Sequence, residues 1–309
     1  MIILSKNQVN VLDEIEQSLA TNPRFKKQTK KAAFRASEVG YFCARKFALE
    51  KLFPARGDSA PSLASVVPLV LGSGIHHGLQ NELLGDMLLG RWRCNNCGET
   101  SAPDAFEHRP RKCEKIKLNQ NSFDEQIGAW GDWKDCESDD FTYIEETLSD
   151  EEGLIAGHPD GYLQLKSGEV VLVEIKTIGL GPHKSLDKGP LEAHVLQANI
   201  YLHLGTKRHQ NALKINPENP SFPEIKRCVI LYVIKHEHGL RVFREFTIEH
   251  NPTALEETLA KLREAATWVK GSELPDRICD SEKCKTAKYC PMADRKSTRL
   301  NSSHANVSR

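Results

Sequence analysis

The sequence lacks long apolar runs and an excess of charge of either sign. No stretch of the 309 residues approaches the roughly 20 consecutive apolar residues of a membrane-spanning helix, and the opening MIIL is followed at once by polar residues. We therefore expect neither a membrane span nor an export signal, which predicts a cytoplasmic or nucleoid-associated protein. Because 42 Lys and Arg balance 42 Asp and Glu, an anionic partner such as nucleic acid has to be recognised locally.

Charge is nevertheless distributed in blocks. Six basic and no acidic residues lie between Arg24 and Arg35, whereas eight acidic and no basic residues lie between Glu137 and Glu152. Such runs are usually solvated faces. The alternative for the basic run is the entrance to a phosphate-binding site.

The nine cysteines occur without an export signal, and thiols in a reducing compartment are more often metal ligands than disulfides. Four of them lie in residues 92–138, a stretch rich in Cys, Pro, Asn and charge with no clear hydrophobic period. We interpret this stretch as an insertion stabilised by its own metal. Cys228, in the apolar run RCVILYV, is interpreted as a buried small hydrophobic residue.

Hydrophobic periodicity predicts an α/β fold in which helices flank a mixed sheet. The expected elements are helices at about 36–53, 69–90, 190–205 and 252–270, and strands at about 141–148, 154–165, 169–177, 228–235 and 240–248. The pair Ser167-Gly168 suits a hairpin turn between two of these strands.

The sequence predicts three parts of the chain. We expect an N-terminal helical segment at 1–34 and a main domain at 35–293, which contains the insertion at 92–138 and ends in a cysteine-bearing segment at 275–293. Residues 294–309 have no hydrophobic period and resemble a translated sequencing adapter, so we interpret them as a non-native tail.

Two neighbouring predicted strands carry residues suited to metal-dependent hydrolysis. Glu174 and Lys176 are two apart on one strand, so their side chains share a face, while Val173 and Ile175 face the other way. One predicted strand earlier, GHPDG ends an apolar segment with the carboxylate of Asp160, which two glycines flank. If the strands form a hairpin, the two carboxylates converge and suit a hard cation such as Mg²⁺ or Mn²⁺. A Glu-x-Lys pair alone is more often an exposed ion pair.

Two predicted helices add polar residues. His76 lies in LGSGIHHGL, and imidazole is a suitable additional ligand for Mn²⁺. Gln197 and Tyr201, four apart in HVLQANIYL, share one helical face. Each of these features alone is equally compatible with ordinary helix packing.

Taken in order, these motifs resemble the RecB-like branch of the PD-(D/E)xK nucleases. That family shows a Gly-x-x-x-His helix, a Gly-x-x-Asp strand end, a Glu-x-Lys strand and a Gln-x-x-x-Tyr helix. The matching pairs are Gly72 and His76, Gly157 and Asp160, Glu174 and Lys176, and Gln197 and Tyr201. The resemblance covers about residues 35–292 and implies a restriction-endonuclease-like fold.

The resemblance also implies roles for these residues. His76, Asp160 and Glu174 would be ligands of Mg²⁺ or Mn²⁺, together with the carbonyl of Ile175. Lys176 would orient or activate the attacking water. A cation in such a site polarises the phosphoryl oxygen and lowers the pKa of water, and an ammonium stabilises developing negative charge.

Gln197 and Tyr201 would help to position a DNA strand near the scissile phosphate. The implied enzyme is a metal-dependent DNA exonuclease acting on single strands or ends, in a bacterium or a phage-infected host. It would work in recombination, repair or CRISPR adaptation, with partner proteins from those processes. Two alternatives stay open: a non-catalytic nucleic-acid-binding module on a nuclease scaffold, and a restriction enzyme that cuts internal sites.

Three cysteines follow the last predicted helix within twelve residues. The iron–sulfur branch of the RecB-like nucleases, which includes CRISPR-associated adaptation exonucleases and AddB-type nuclease domains, carries one cysteine before the His motif and three near the C-terminus. The resemblance thus implies a structural [4Fe-4S] cluster on Cys43, Cys279, Cys284 and Cys290. Four thiolates also hold Zn²⁺, and the sequence alone does not separate the two metals.

Within the insertion, Cys94 and Cys97 have the spacing of a zinc knuckle. Cys113 follows after fifteen residues and Cys136 after another twenty-two, with His108 also available. The second half lacks the close spacing of an ordinary zinc ribbon. We expect Zn²⁺ on the four cysteines.

Overall fold

The structure, a computed structural model, describes residues 34–40, 43–52, 63–102, 105–114, 116–124, 129–179, 184–235 and 242–271. Residues 1–33 of the expected N-terminal segment, the cysteine-bearing segment 275–293 and the tail 294–309 lie outside these ranges. None of the helices within the described ranges is long and apolar enough to cross a membrane.

Strands and helices alternate along the chain. The strands are β1 (Phe34–Arg35), β2 (Leu88–Cys94), β3 (Glu107–His108), β4 (Ile116–Asp124), β5 (Ala129–Asp135), β6 (Phe141–Ile144), β7 (Leu148–Ser149), β8 (Ile155–Gly157), β9 (Gly161–Gln164), β10 (Val170–Ile178), β11 (Arg227–Ile234) and β12 (Phe243–Glu249). The helices are α1 (Ala36–Val39), α2 (Ala44–Leu52), α3 (Leu63–Gly78), α4 (Glu192–Ile215) and α5 (Pro252–Lys270), with a π-helical turn at Leu79–Leu83 and 3₁₀ turns at Gly85–Met87 and Lys184–Lys188.

A seven-stranded mixed sheet lies at the centre of the fold. Its order is β12-β11-β10-β9-β2-β3, and β6 also pairs with β2. Strands β10 and β11 run parallel and are joined by α4, since a parallel pair needs a crossover connection, whereas the other neighbours are antiparallel. A small sheet of β1, β8 and β7 and the hairpin β4–β5 complete the strands. The predicted α/β fold with a mixed sheet flanked by helices is confirmed.

The hairpin that joins β9 to β10 has the predicted turn. Gly168 adopts a φ of +86°, which favours glycine, and its N–H donates to the carbonyl of Leu165 at 2.8 Å. Pairing runs from Gln164 opposite Val170 to Gly161 opposite Val173. Strand β10 then continues to Ile178 without β9 beside it.

Both faces of β10 are covered, which explains its nearly continuous apolar run. Val173 and Ile175 pack with Leu79 on the side of α3. On the opposite face, Leu172 packs in the large core with Ile200 of α4 and with residues of α5. Burying each of these side chains stabilises the fold by about 1.5–3 kcal/mol. Leu172 and Glu174, which share this face of β10, therefore lie in the protein interior.

Two predicted helices are wrong in their bounds. The helix predicted at 36–53 is divided into α1 and α2, with the break after Gly40, where an added Cβ would lie 2.4 Å from the Cβ of Ala193. The helix predicted at 69–90 begins at Leu63, and its last predicted residues belong to β2. Leu88 and Leu89 pair with β9 in the core, so tertiary pairing overrides their helical spacing.

Strand predictions also need correction. The strand predicted at 154–165 is interrupted between β8 and β9 at Pro159, which has no N–H to donate to a ladder. The strand predicted at 141–148 ends as β6 at Ile144, and α4 continues to Ile215 instead of ending near 205. Strand β12 begins at Phe243, and residues 240–241 lie outside the described ranges. The stretch 92–138, which has no clear hydrophobic period and for which no strands were predicted, contains β3, β4 and β5.

The first turn of α4 is attached to the sheet through Tyr232. The hydroxyl of Tyr232 accepts a hydrogen bond from the N–H of Leu191 at 3.1 Å and is 2.8 Å from Nδ1 of His194, to which it donates when that nitrogen is unprotonated. Burial, together with the positive charge of Lys176, lowers the pKa of His194 to about 4. The imidazole is therefore neutral at pH 7.

This histidine predicts a loss of stability in acid. Between pH 6.5 and about 4 the unfolded chain binds more protons at His194 than the folded chain does, so the free energy of unfolding should decrease as the pH falls. Because the side chain is partly exposed, we expect its contribution to be only about 1 kcal/mol. Urea unfolding at pH 7 and at pH 4.5, on either side of the usual histidine pKa of about 6.5, measures it. The variant His194→Gln, which does not titrate, should lose less stability than wild type, and an equal loss would contradict the account.

Candidate metal centres

The polar residues of the sequence motifs meet where β9 and β10 separate. Asp160 directly precedes β9, and its Oδ2 accepts a hydrogen bond from the N–H of Ile175 at 2.6 Å. The carboxylate thus takes the place of the strand partner that β10 no longer has. Its Oδ1 lies 3.0 Å from Nδ1 of His76. Asp160 therefore joins β10 to α3.

The π-helical turn after α3 brings a further acid to this point. Gln80 donates through Nε2 to the carbonyl of Asp160 at 2.7 Å and to Oε1 of Glu145 at 3.0 Å. One ligand atom from each of His76, Glu145 and Asp160 lies within 4.8 Å of the others. Glu145 was not among the predicted site residues, because the acidic block to which it belongs was interpreted as a solvated face. The available signal was its position directly after the alternating strand FTYI.

Glu174 lies on the other face of β10 and is only 2% exposed. Its Oε1 accepts hydrogen bonds from Nζ of Lys176 at 2.5 Å and from Nε2 of Gln197 at 2.7 Å. Its Oε2 is buried without a hydrogen-bond partner in the described part of the chain. Burial, and then the charge of Asp160, raise the pKa of Glu174 to about 8 against the opposing effect of Lys176. The Glu-x-Lys pair is thus a close contact between a buried carboxyl group and a partly buried ammonium, and a buried oxygen without a partner is costly.

Gln197 and Tyr201 act together along α4. The amide of Gln197 also donates to the hydroxyl of Tyr201 at 3.0 Å, and that hydroxyl donates to the carbonyl of His158 at 3.1 Å. Burial raises the pKa of Tyr201 well above its usual value, so the phenol remains protonated. The two side chains therefore connect Glu174 to the backbone that precedes Asp160.

Two motif glycines allow close packing around the site. A Cβ on Gly157 would lie 2.5 Å from Cε1 of Tyr201 and 2.9 Å from the Cβ of Ala36. A Cβ on Gly72, one turn before the histidine of α3, would lie 3.3 Å from Oγ1 of Thr177. The absence of side chains at these points lets α4 approach β8 and lets α3 approach β10.

The charges at the site fit a divalent cation. Desolvation, together with the charge of Asp160, raises the pKa of Glu145. Burial alone would lower the pKa of His76, but its hydrogen bond to Asp160 and that carboxylate's charge raise it overall. Oxygen ligands with an imidazole suit Mg²⁺ or, better, Mn²⁺. A cation would also relieve the mutual repulsion of the acids.

The group formed by His76, Glu145 and Asp160 differs from the predicted ligand set. His76 and Asp160 are brought together as predicted, and Glu145 joins them. Glu174 is outside this group of three, and its role as a ligand stays a prediction. The same applies to the carbonyl of Ile175, whose N–H is bound by Asp160.

The four cysteines of the insertion come together at the end of β2. Sγ of Cys94 is 3.6 Å from Sγ of Cys136, Sγ of Cys97 is 3.7 Å from Sγ of Cys113, and all four sulfurs lie within 4.8 Å of one another. A disulfide needs a sulfur separation of about 2.05 Å. Tetrahedral Zn–S bonds of about 2.3 Å place the sulfurs about 3.8 Å apart. The distances therefore suit one tetrahedral metal ion.

The surroundings of Cys94 also favour the thiolate form of its side chain. Burial raises the pKa of the thiol, but hydrogen bonds from the backbone N–H groups of Cys97 and Asn96 outweigh this and lower the pKa of Cys94 to about 6. A thiolate is the form that binds a metal. His108, the alternative ligand, instead lies 3.0 Å from Oε1 of Gln164 through its Nε2.

The remaining cysteines are less informative. Cys43 lies between α1 and α2, where its Sγ accepts a hydrogen bond from the N–H of Lys46 at 3.5 Å. Cys279, Cys284 and Cys290 lie outside the described residues, so the iron–sulfur ligand set stays a prediction. Cys228 is fully buried in the core as predicted, and burial raises its pKa well above the usual value.

Comparisons with known proteins give only distant likenesses. No family model and no curated protein matches the sequence. Similar solved structures include the protein SSO0001, with 15% identity over 93% of this chain and 98% of that chain and a TM-score of 0.41. The alkaline exonuclease LHK-Exo from Laribacter hongkongensis has 9% identity over 84% and 93% and a TM-score of 0.39. A phage-related exonuclease from Haemophilus somnus 129PT has 11% identity over 77% and 92% and a TM-score of 0.36. At these values the likenesses establish no shared activity.

The packing of Gly157 predicts a specific loss of stability. In Gly157→Ala the methyl group would overlap the ring of Tyr201, so we expect the free energy of unfolding to fall by about 1–3 kcal/mol. Urea unfolding measures the change. The control is Gly74→Ala, because a Cβ on Gly74 meets nothing within 4 Å. If both variants were equally stable, the close approach of α4 to β8 would be wrong.

Proposed function

We propose that this chain is a metal-dependent DNA nuclease of the RecB-like PD-(D/E)xK type, which hydrolyses phosphodiester bonds with Mg²⁺ or Mn²⁺. One observation carries the proposal. His76, Glu145 and Asp160 come from separate parts of the chain and form one close group. On β10, which Asp160 contacts through the N–H of Ile175, Glu174 accepts a hydrogen bond from the ammonium of Lys176 and has a buried oxygen without a partner among the described residues. Burying several ionisable groups close together lowers the stability of the fold, and such clusters are typical of functional sites.

The residues present divide the work between binding and chemistry. His76, Asp160 and Glu145 would hold the cation, with Glu174 and the carbonyl of Ile175 as the further ligands that the motif implies. The bound cation would supply Lewis-acid polarisation of the phosphate and a lowered pKa of the attacking water.

Lys176 is the group that we assign to the water and to the developing negative charge. Its ammonium is held at 2.5 Å from Oε1 of Glu174, and its side chain is 19% exposed, so it is fixed at the boundary of the site and still reachable from solvent. An ammonium at this place stabilises charge that develops in the transition state. Gln197 positions Glu174, and Tyr201 positions the backbone before Asp160. Direct contact of Gln197 and Tyr201 with DNA rests on the motif resemblance.

The finer parts of the function rest on the motif resemblance as well. We propose an exonuclease that acts on single-stranded or end-containing DNA in the cytoplasm, in recombination, repair or CRISPR adaptation. We propose one nuclease domain at 35–293 that contains the zinc-bearing insertion at 92–138. Because the net charge is zero, its DNA contact would be a local surface.

Substitution of Lys176 tests the catalytic proposal. We expect Lys176→Ala to cleave end-labelled DNA at least about 100-fold more slowly with Mn²⁺ while its DNA affinity changes little, because the ammonium acts mainly in the transition state. Gel analysis of the labelled DNA gives the rate, and fluorescence anisotropy gives the affinity. The matched control is Lys166→Ala, an exposed lysine in the β9–β10 turn.

The same assay separates the alternatives. If wild type leaves single-stranded and duplex DNA intact with either cation but still binds them, the chain is a binding module and the nuclease proposal is wrong. If wild type cuts closed circular DNA, it acts at internal sites like a restriction enzyme. An end-dependent exonuclease leaves closed circles intact.

We further propose Zn²⁺ on Cys94, Cys97, Cys113 and Cys136, and a [4Fe-4S] cluster on Cys43 and the three late cysteines. The sulfur distances support the first site. The packing of α2 against α5, which brings the helix after Cys43 beside the helix before the late cysteines, is compatible with the second.

Metal analysis of anaerobically purified protein tests both assignments. We expect one zinc ion per chain, together with iron and a brown colour. Cys113→Ser should lose the zinc and keep the iron, whereas Cys284→Ser should lose the iron and keep the zinc. A colourless wild type that contains zinc but no iron would contradict the cluster assignment.

A further inference from the structure

One short strand joins the cysteine site to the candidate catalytic site. Strand β6 pairs with β2 so that Phe141 lies opposite Cys94 and Ile144 lies opposite Arg91. The strand therefore begins beside a thiol of the cysteine cluster and ends directly before Glu145. A displacement at its start would be carried through four residues to this acid.

The cysteine cluster fixes the start of β6 through several hydrogen bonds. The N–H of Cys113 donates to the carbonyl of Ser138 at 2.8 Å, and the N–H of Asn95 donates to the carbonyl of Asp140 at 3.0 Å. The side chain of Asn95 donates to Oδ1 of Asp140 at 2.8 Å and accepts from the hydroxyl of Thr142 at 2.8 Å. The residues beside Cys94 and Cys113 itself are thus hydrogen-bonded to the segment that leads into β6.

The other end of β6 is attached to the π-helical turn. The N–H of Tyr143 donates to Oδ1 of Asn81 at 2.8 Å, and Arg109 from the insertion donates to the carbonyl of Asn81 at 3.1 Å. The preceding residue, Gln80, donates to Glu145. The insertion is therefore connected to the candidate catalytic site by β6 and by this turn.

The apolar core around the cysteines is small. Its six buried members are Leu88, Trp92, Cys94, Cys113, Phe141 and Tyr143. Two of these six are cysteines of the cluster, so little apolar area is available to hold the insertion without a metal. In small units of this kind the free energy of metal binding is folding free energy.

We infer that the four-cysteine metal site positions Glu145 for the catalytic cation, so that loss of the metal on the cysteines weakens binding of the cation. Glu145 is exposed and sits at the end of a strand, and Gln80 holds only one of its carboxylate oxygens in the described structure. Its position therefore depends on the strand before it. This inference rests on the proposed function, because it assumes that a cation binds at His76, Glu145 and Asp160.

A double-mutant cycle in cation affinity tests the coupling. The affinity for Mn²⁺ is measured by calorimetry on wild type, Glu145→Ala, Cys113→Ser and the double variant, and zinc content is measured on each. We expect each single variant to bind Mn²⁺ about 10-fold or more weakly, as is usual when support of a metal ligand is lost. The double variant should bind no more weakly than either single variant, because both changes remove the same contact.

A milder variant avoids dependence on the folding of Cys113→Ser. Asn95→Ala keeps all four cysteines and removes the side-chain bridge between Asp140 and Thr142. We expect it to retain zinc and to bind Mn²⁺ several-fold more weakly (about 3-fold for a displaced but present ligand). The matched control is Asn219→Ala, in the exposed loop between α4 and β11, which should bind Mn²⁺ like wild type.

The outcomes separate this inference from the proposed function. If wild type does not bind Mn²⁺, the proposed function fails and the inference fails with it. If wild type binds Mn²⁺ and both Asn95→Ala and a folded, zinc-free Cys113→Ser bind it equally tightly, the inference alone is overturned. Independent, additive losses in the double variant would overturn it as well.

Discussion

The candidate site depends on the hydrogen bond between Asp160 and the N–H of Ile175. Strand β9 begins at Gly161, opposite Val173, and β10 continues beyond this pair in the interior, where an unpaired backbone N–H would be costly. The carboxylate of Asp160 satisfies this group and is thereby fixed beside β10. Its other oxygen then reaches His76 on α3. A structural requirement of the sheet thus places the first acid of the site.

The second acid shows how the site differs from an ordinary core. Glu174 lies at a position of β10 where the neighbouring residues on the same face, such as Leu172, are apolar and buried. Lys176 and Gln197 offset part of the cost of burying its carboxylate, but one oxygen still has no partner in the described residues. Replacing buried charged groups by hydrophobic residues is often neutral or stabilising for a fold. The cost of burying this acid is the physical reason for our proposal that it serves a cation.

Much of this arrangement could be predicted from the sequence, because local patterns specify it. The apolar run around Glu174 and the turn at Gly168 are local signals, and the structure bears out the hairpin that they predict. Strand β2 could not be predicted in this way, since Leu88 pairs with β9 only in the folded chain. Glu145 was missed for the same reason, because its role depends on the end of β6 and not on its acidic neighbours.

The insertion is hydrogen-bonded to the start of β6, the strand that ends directly before Glu145, so the two candidate metal centres lie at opposite ends of this strand. The central claim is that His76, Glu145 and Asp160 share one cation. A crystal grown with Mn²⁺ and measured at the manganese absorption edge tests this most directly. The account predicts an anomalous difference peak within bonding distance of these three side chains. A well-ordered site without a peak there, or with the manganese bound elsewhere, would contradict it.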